Sequence, residues 1–551
     1  MIKQVLILNI TRMGDLIQMI PLLSRLEEEY PGVAIDLIVD QEFVQIATLI
    51  PGIRQVLAFD FQALMDESRV CARDVVSLYQ RLSRWANPLL QVGYDRVINL
   101  TFNRRSAFLA KFIGCADERG MTTAQDGSSL VKNSWMKYFL DFHAYRQVNR
   151  FNIVDLYALG GSGPGQFHPI QLTVMKEQHD WARTFLRHWG TPEFWVAVQV
   201  GASDPMKAWR PEYFGQLMAL LSHGRNVGFV LIGTQKEEAV VKEAAHAYQQ
   251  AGGAGILCEA VGQTSVPELV AILQQCRLMV TNDTGPMHMA VGVRTPVVNV
   301  SVGHVAFWET GPFGPGHWVV QPDIACGPCG FDKVCPHHAC KEHLIPQEIA
   351  ALCLHVLGQQ DFSSFSSRVR VYEGAIDDDQ LGTFILRSGH EPTLTGWYGT
   401  YWRRYWFEAF TGRESQIPIP KAAPSDLREA RDLWQRFAPH VETLCQQAEK
   451  VLSLCRQQPM PVLKLKEAQQ QLNQRTLAIK ELGGPSYAFG PLAGACIRET
   501  FNLEGQTLVR MAEEYVAASQ TLRSRALLTF EQLSRYLPEP VRRDLYVGAI
   551  G

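Results

Sequence analysis

The apolar residues of the N-terminal half fall in short β-rich runs, each followed by a glycine-containing polar turn and then by a stretch with helical spacing. Gln4 to Ile10 is the first such run. Thr11-Arg12-Met13-Gly14-Asp15 is its turn, and Leu16 to Glu29 then repeats apolar residues every three or four positions. Ala34 to Val39, Gln55 to Phe59 and Asp95 to Leu100 read as further strands with helical segments between them. This alternation predicts βαβ units and a parallel sheet. Gly160-Gly161-Ser162-Gly163-Pro164-Gly165 reads as a flexible linker unable to continue a helix. The pattern then restarts, with strands expected at Phe194 to Val200, Val227 to Ile232, Leu278 to Val280 and Pro296 to Val300. Ser265-Val266-Pro267-Glu268 has capping-box spacing and opens a helix to Gln275.

Beyond about residue 358 the pattern changes. Arg368 to Tyr372 and Thr383 to Leu386 are spaced to pair as a hairpin. Trp397 to Phe407 places aromatic residues at helical intervals, giving one broad aromatic face. That face suits packing on the α/β core or, alternatively, lying on a membrane surface. Apolar positions from Leu427 through Phe437 and Leu444 to Cys455 alternate by three and four as in a heptad, with Pro439 expected to kink or restart the helix. Leu465 to Leu482 and Leu508 to Leu522 continue in the same style, so the tail reads as an antiparallel helical bundle. The expected organisation is α/β: two Rossmann-like domains at 1–165 and 166–358 facing a cleft, then a mainly α-helical extension at 359–551.

Composition narrows the function classes. A chain of 551 residues is too long for one core. A net charge of −3 gives no general reason to bind nucleic acid. No run of 18 apolar residues occurs, and the first apolar run is too short for a signal-peptide core. The expectation is a cytoplasmic protein, with peripheral contact at the inner membrane face as the variant, and with reduced thiols among its 12 cysteines.

The candidate chemistry collects at strand ends. The apolar run to Val280 ends in Asn282-Asp283-Thr284-Gly285, and Pro286 takes the first helical position, where its missing N–H costs nothing. Unpaired amides at Thr284, Gly285 and Met287 would attract an anion such as a diphosphate; the alternative is an ordinary βα turn. Asp15 follows the first strand, at the edge where open α/β sheets bind ligands, or serves as a helix N-cap. Ser203 and Lys207 offer a hydroxyl and an ammonium to phosphates, and Glu237 offers a carboxylate to ribose hydroxyls. Arg104 and Arg105 either meet an anionic acceptor or form a solvated loop. Cys326, Cys329, Cys335 and Cys340 lie within fifteen residues and fit a closed tetrahedral zinc or iron site; the alternative is a metal-free loop of reduced thiols. No Asp-x-Asp pair for a catalytic Mg²⁺ stands in a matching turn, so no catalytic metal is expected.

Met13-Gly14-Asp15, Ser203…Lys207-x-Trp209 and Asn282-Asp283-Thr284-Gly285-Pro286-Met287-His288 together resemble glycosyltransferase family 9. Gly262-Gln263-Thr264-Ser265 and Thr310-Gly311-Pro312 extend the resemblance, which covers about residues 1–358. These are ADP-heptose:lipopolysaccharide heptosyltransferases and relatives of GT-B architecture. The resemblance implies Asp15 as general base, Ser203 and Lys207 on the donor diphosphate, and Glu237 on the ribose. It also implies Asp283, Thr284 and Gly285 as the donor loop, with His288 supporting it, and an iron-bearing cysteine site in some relatives. Ala202 and Arg210 depart from the family pattern and bear on donor identity. The function implied is inverting transfer of a heptose or similar sugar from an ADP-sugar to a glycan such as the lipopolysaccharide core, a glycolipid or a protein. A sugar-nucleotide epimerase and a non-catalytic assembly protein are the alternatives. The extension is a candidate for oligomerisation.

Overall fold

In the computed structural model the described residues are 2–60, 75–331, 334–363, 365–390, 393–419, 428–484 and 486–536. They form two units, one of residues 1–101, 112–119 and 150–391, the other of residues 102–111, 120–149 and 392–551.

The first unit begins with four parallel strands, β1 (Gln4–Leu8), β2 (Ala34–Asp40), β3 (Gln55–Phe59) and β4 (Arg96–Asn99), in the order β3-β2-β1-β4. Val5 to Leu8 are fully buried, as a strand covered on both faces requires. Met13–Gln18 is a helix, and a second runs Ile20–Glu29; the single helix expected over 16–29 breaks at Met19, just before Pro21. The expected linker is also different. Gly160 and Gly161 end a buried helix, Ile153–Gly161. A Cβ on Gly161 would stand 2.6 Å from the Leu22 side chain, so Gly161 permits close helix packing, and the stretch without helix or strand begins only after it, over 162–175.

The same unit carries an eight-stranded sheet. Its members are β7 (Phe194–Gln199), β8 (Val227–Ile232), β9 (Ile256–Glu259), β10 (Cys276–Thr281), β11 (Val297–Val300), β12 (Trp318–Pro322), β13 (Val369–Ile376) and β14 (Gly382–Ser388). The order is β14-β13-β12-β11-β10-β7-β8-β9. From β12 to β9 neighbours are parallel, in the doubly wound order whose direction reverses between β7 and β10. The hairpin read from sequence forms, with Tyr372 opposite Leu386, and β13 also pairs antiparallel with β12.

The second unit is mostly helical. Its strands are β6 (Ser129–Lys132) and most of β5 (Asp117–Thr123), paired as an antiparallel hairpin from Gly120 to Lys132. Arg104 and Arg105 open the helix Arg104–Ile113 and are exposed, so they are not a loop. Long helices span Thr393–Thr411, Arg428–Cys455, Val462–Gly483 and Leu508–Ser534, with Gly490–Thr500 between the last two. Leu427 lies outside the described residues. The helix Arg428–Cys455 neither stops nor restarts at Pro439, which it holds internally; tertiary burial of Phe437 and Val441 on either side outweighs the lost hydrogen bond. The aromatic helix buries rings of Trp397, Tyr401, Trp402 and Trp406 inside this unit. Trp402 Nε1 donates to the Tyr487 carbonyl and the Tyr401 hydroxyl to Gln532 Oε1. Among the described residues no helix is long and apolar enough to cross a membrane.

Candidate functional site

The carboxyl ends of β7 and β10 are neighbours at the point where the strand order reverses, and each leads into a polar turn. After β7 the chain passes Ser203 and makes one 3₁₀ turn, Pro205–Lys207. After β10 it passes Asn282 and Asp283 and enters the helix Gly285–Gly292, with Thr284 at its N-cap. Gly285 is the first helical residue and Pro286 the second, one step later than the sequence reading placed Pro286. The amides of Thr284 and Gly285 have no partner among the described residues, whereas Met287 N donates to the Thr284 carbonyl at 3.1 Å. Two, not three, of the expected anion-binding amides therefore remain available.

One side chain ties the two turns together. Asn282 Oδ1 accepts from Trp209 N at 2.9 Å, and its Nδ2 donates to the carbonyls of Val200 and Gly201 at 2.8 and 3.3 Å. The Trp209 ring is fully buried, and its Nε1 donates to the carbonyls of Lys341 and Leu344. Asn282 and Trp209 stood in the sequence motifs, but no local pattern marks a crosslink between residues about 70 apart. Asn282→Ala is expected to cost about 1–3 kcal/mol, because it leaves buried backbone groups unpaired. A lowered urea midpoint, together with weakened nucleotide binding as the Lys207 loop loosens, is the measurement.

Lys207 lies close enough to both Asp283 and His288 to act on them electrostatically. Burial pushes the Asp283 carboxyl up; the Lys207 ammonium and a 2.5 Å hydrogen bond from Thr310 Oγ1 oppose that shift. Burial, reinforced by Lys207, pushes His288 down to about 4, so its imidazole is neutral at pH 7. Its Nδ1 has no hydrogen-bond partner among the described residues. Thr310 belongs to a motif singled out in the sequence, but its role as the partner that fixes Asp283 was not legible there.

Asp15 comes to the same region from the N-terminal sheet. It lies in the first turn of the helix Met13–Gln18, whose N-cap is Arg12, so the N-cap alternative for Asp15 does not hold. A Cβ on Gly14 would stand 3.2 Å from His288 Cδ2, and one on Gly285 3.0 Å from Met13 Cε. The turn carrying Asp15 thus abuts the turn carrying the donor motif. Burial raises the Asp15 carboxyl to about 6, with Arg12 opposing. No side chain among the described residues hydrogen-bonds to it.

Glu237 and Ser203 are placed differently. Glu237 closes a capping box, its Oε2 accepting from Thr234 N and Oγ1 at 2.7 and 2.9 Å, while Gln199 Nε2 donates to Oε1 at 3.2 Å. Its carboxylate sits at the ends of β7 and β8 but is largely engaged. Ser203 is exposed and its hydroxyl makes no hydrogen bond among the described residues.

The four cysteines line one small cavity, together with Met206 and Gly303. They do not form the tetrahedral set expected of them: among the described residues no three His, Cys, Asp or Glu side chains stand together as metal ligands. Local bonds explain the spread. Cys335 Sγ accepts from His338 N at 3.3 Å, Cys329 N donates to the Gly303 carbonyl, Cys340 is buried and Cys326 is exposed. The segment braces the Lys207 loop instead, through Lys341 Nζ to the Pro205 carbonyl at 2.7 Å and Glu342 to Arg210 at 2.5 Å.

The turns carrying Lys207 and Asp283 follow one parallel sheet and the turn carrying Asp15 follows the other, each at the strand ends where open α/β sheets bind ligands. Residues 82–339 match the sequence model of glycosyltransferase family 9 (heptosyltransferase). The chain is 27% identical over 304 residues to lipopolysaccharide heptosyltransferase 3 of Escherichia coli K12, covering 54% of this chain and 82% of that one. It is 27% identical over 278 residues to lipooligosaccharide heptosyltransferase 2 of Campylobacter jejuni, covering 50% and 80%. The solved E. coli ADP-heptose lps heptosyltransferase II aligns over 65% of this chain and 100% of its own, at 19% identity and a TM-score of 0.49.

Proposed function

We propose that the chain is an inverting glycosyltransferase that moves a heptose from an ADP-linked donor to a lipopolysaccharide-core glycan. The observation that carries this reading is the meeting of the Asp15 turn with the Lys207–Asp283–His288 cluster at two sheet switch points. In the proposed reaction the acceptor hydroxyl attacks the anomeric carbon opposite the diphosphate. Asp15 takes the hydroxyl proton while the bond to the diphosphate breaks, its electron pair leaving on the phosphate oxygen. Lys207 and the amides of Thr284 and Gly285 meet the charge that develops there. Asp283, fixed by Thr310, faces the donor sugar, Ser203 adds a phosphate contact, Glu237 borders the ribose, and neutral His288 holds the two turns in register.

Turnover tests this. The protein is incubated with ADP-heptose, with and without a heptose-deficient lipopolysaccharide core. The expected result is acceptor-dependent ADP release and a product linkage of opposite anomeric configuration to the donor. Conversion of the sugar with donor alone would assign the epimerase reading instead.

A further inference from the structure

The second unit holds a pocket that the donor chemistry does not use. It is lined by residues of 134–149, 402–410 and 491–499 and by Arg525, and is open to solvent on one side. Its wall is aromatic. Trp402, Trp406 and Phe410 recur every four residues on one helix and stack in sequence, with centroids 5.7 and 5.0 Å apart. Tyr138 and Phe142, also lining it, stack at 6.3 Å.

The charged groups on this pocket are unequally committed. Lys137 Nζ donates to Glu499 at 2.6 Å, and Arg498 grips both oxygens of Asp141, with contacts of 2.6 to 3.1 Å, so these two pairs neutralise themselves. Arg525 has no carboxylate partner among the described residues. Its guanidinium lies 5.6 Å from the Trp406 centroid and 5.8 Å from that of Phe410. Trp406 is 1% exposed, and its indole N–H has no acceptor among the described residues. A buried donor left unpaired is costly. Here it lies on the same ring as an uncommitted cation.

An alkyl chain would satisfy neither donor, and a neutral sugar would leave the guanidinium unpaired. A sugar ring bearing an acid group answers all three features: its C–H face against the half-buried rings of Tyr138 and Phe410, its oxyanion on Arg525, and a hydroxyl or ring oxygen on the indole N–H. We propose that this pocket recognises an acidic saccharide unit, bearing a carboxylate or a phosphate, of the acceptor glycan. The acceptor assignment rests on the transferase reading; the binding itself does not.

The test is calorimetric titration of the full chain with D-glucuronic acid, glucose 6-phosphate and glucose, for wild type, Arg525→Gln and Trp406→Phe. Saturable binding of at least one acidic sugar is expected, with glucose about tenfold weaker or more, and a loss of about tenfold or more in Arg525→Gln. Preference between the two acids identifies the group recognised. Trp406→Phe keeps the ring and removes the donor, and a further loss there supports the pose; Arg525→Gln, at a partly buried position, keeps the test open if the tryptophan variant fails to fold. ADP titrations should be unchanged in both variants, so a failure of the donor reading is seen separately. No saturable binding of either acid, equal binding of glucose, or binding untouched by Arg525→Gln would overturn the proposal. Attachment to anionic vesicles through Arg525 without sugar binding would overturn it in favour of a membrane contact.

Discussion

Replacing Asp15 by Asn is expected to lower kcat by about 10²–10⁴-fold while leaving ADP affinity within a factor of about two. The substitution keeps the shape and removes the carboxylate proposed as the base. Because no side chain among the described residues bonds to this carboxylate, the loss cannot be traded against a broken internal contact. The pH dependence supplies a second readout. Burial raises the Asp15 carboxyl to about 6, and the form that accepts a proton is the carboxylate. Activity should therefore be present above about pH 6, with kcat/KM falling about tenfold per unit below it, and the Asn variant should lack that limb. His288, held near 4, is neutral throughout this window and contributes no limb of its own.

The second large effect is at Lys207. Lys207→Ala is expected to weaken ADP binding about 10–100-fold, the range for losing a charged hydrogen bond to phosphate. It should lower kcat further, since charge on the departing diphosphate grows in the transition state. Asp283 gives an internal control. Lys207 is the first of three groups, with Thr310 and His304, that oppose the burial-driven rise of its carboxyl, so removing the lysine should raise the Asp283 pKa further. A shift visible by carboxylate NMR, together with lost ADP affinity, separates the electrostatic role of Lys207 from simple steric support of the loop.

Much of this site was readable along the chain because its residues follow buried strands. β-rich runs such as Val5 to Leu8 and Val227 to Ile232 declare themselves, and what comes next must lie at the sheet's carboxyl edge. Asp15, Lys207 and Asp283 were located in that way. What local pattern could not supply was partnership across the fold. Asn282 looked like one more turn residue until its bonds to Trp209 and Val200 appeared, and Thr310 like part of a loop until it met Asp283. Gly161 does two things at once: the helix ends there, as its glycine-rich sequence suggested, and it also lets the chain approach Leu22, more than a hundred residues away, which no local pattern shows. The cysteine spacing likewise described a ligand set, while in the fold Cys335 Sγ accepts from His338 N and the Cys329 backbone amide donates to the Gly303 carbonyl. The aromatic helix of 393–411 was readable as a helix, but the packing of Trp406 and Phe410 beside Tyr138 and Trp135 depends on a segment some 270 residues upstream.

The central claim is that the switch-point cleft is a site for the diphosphate of an ADP-sugar. Calorimetric titration of wild type and Lys207→Ala with ADP, UDP and GDP tests it most directly. Selective, saturable ADP binding that Lys207→Ala weakens is the expected result. Binding of none of the three nucleotides to a folded wild-type protein would contradict it.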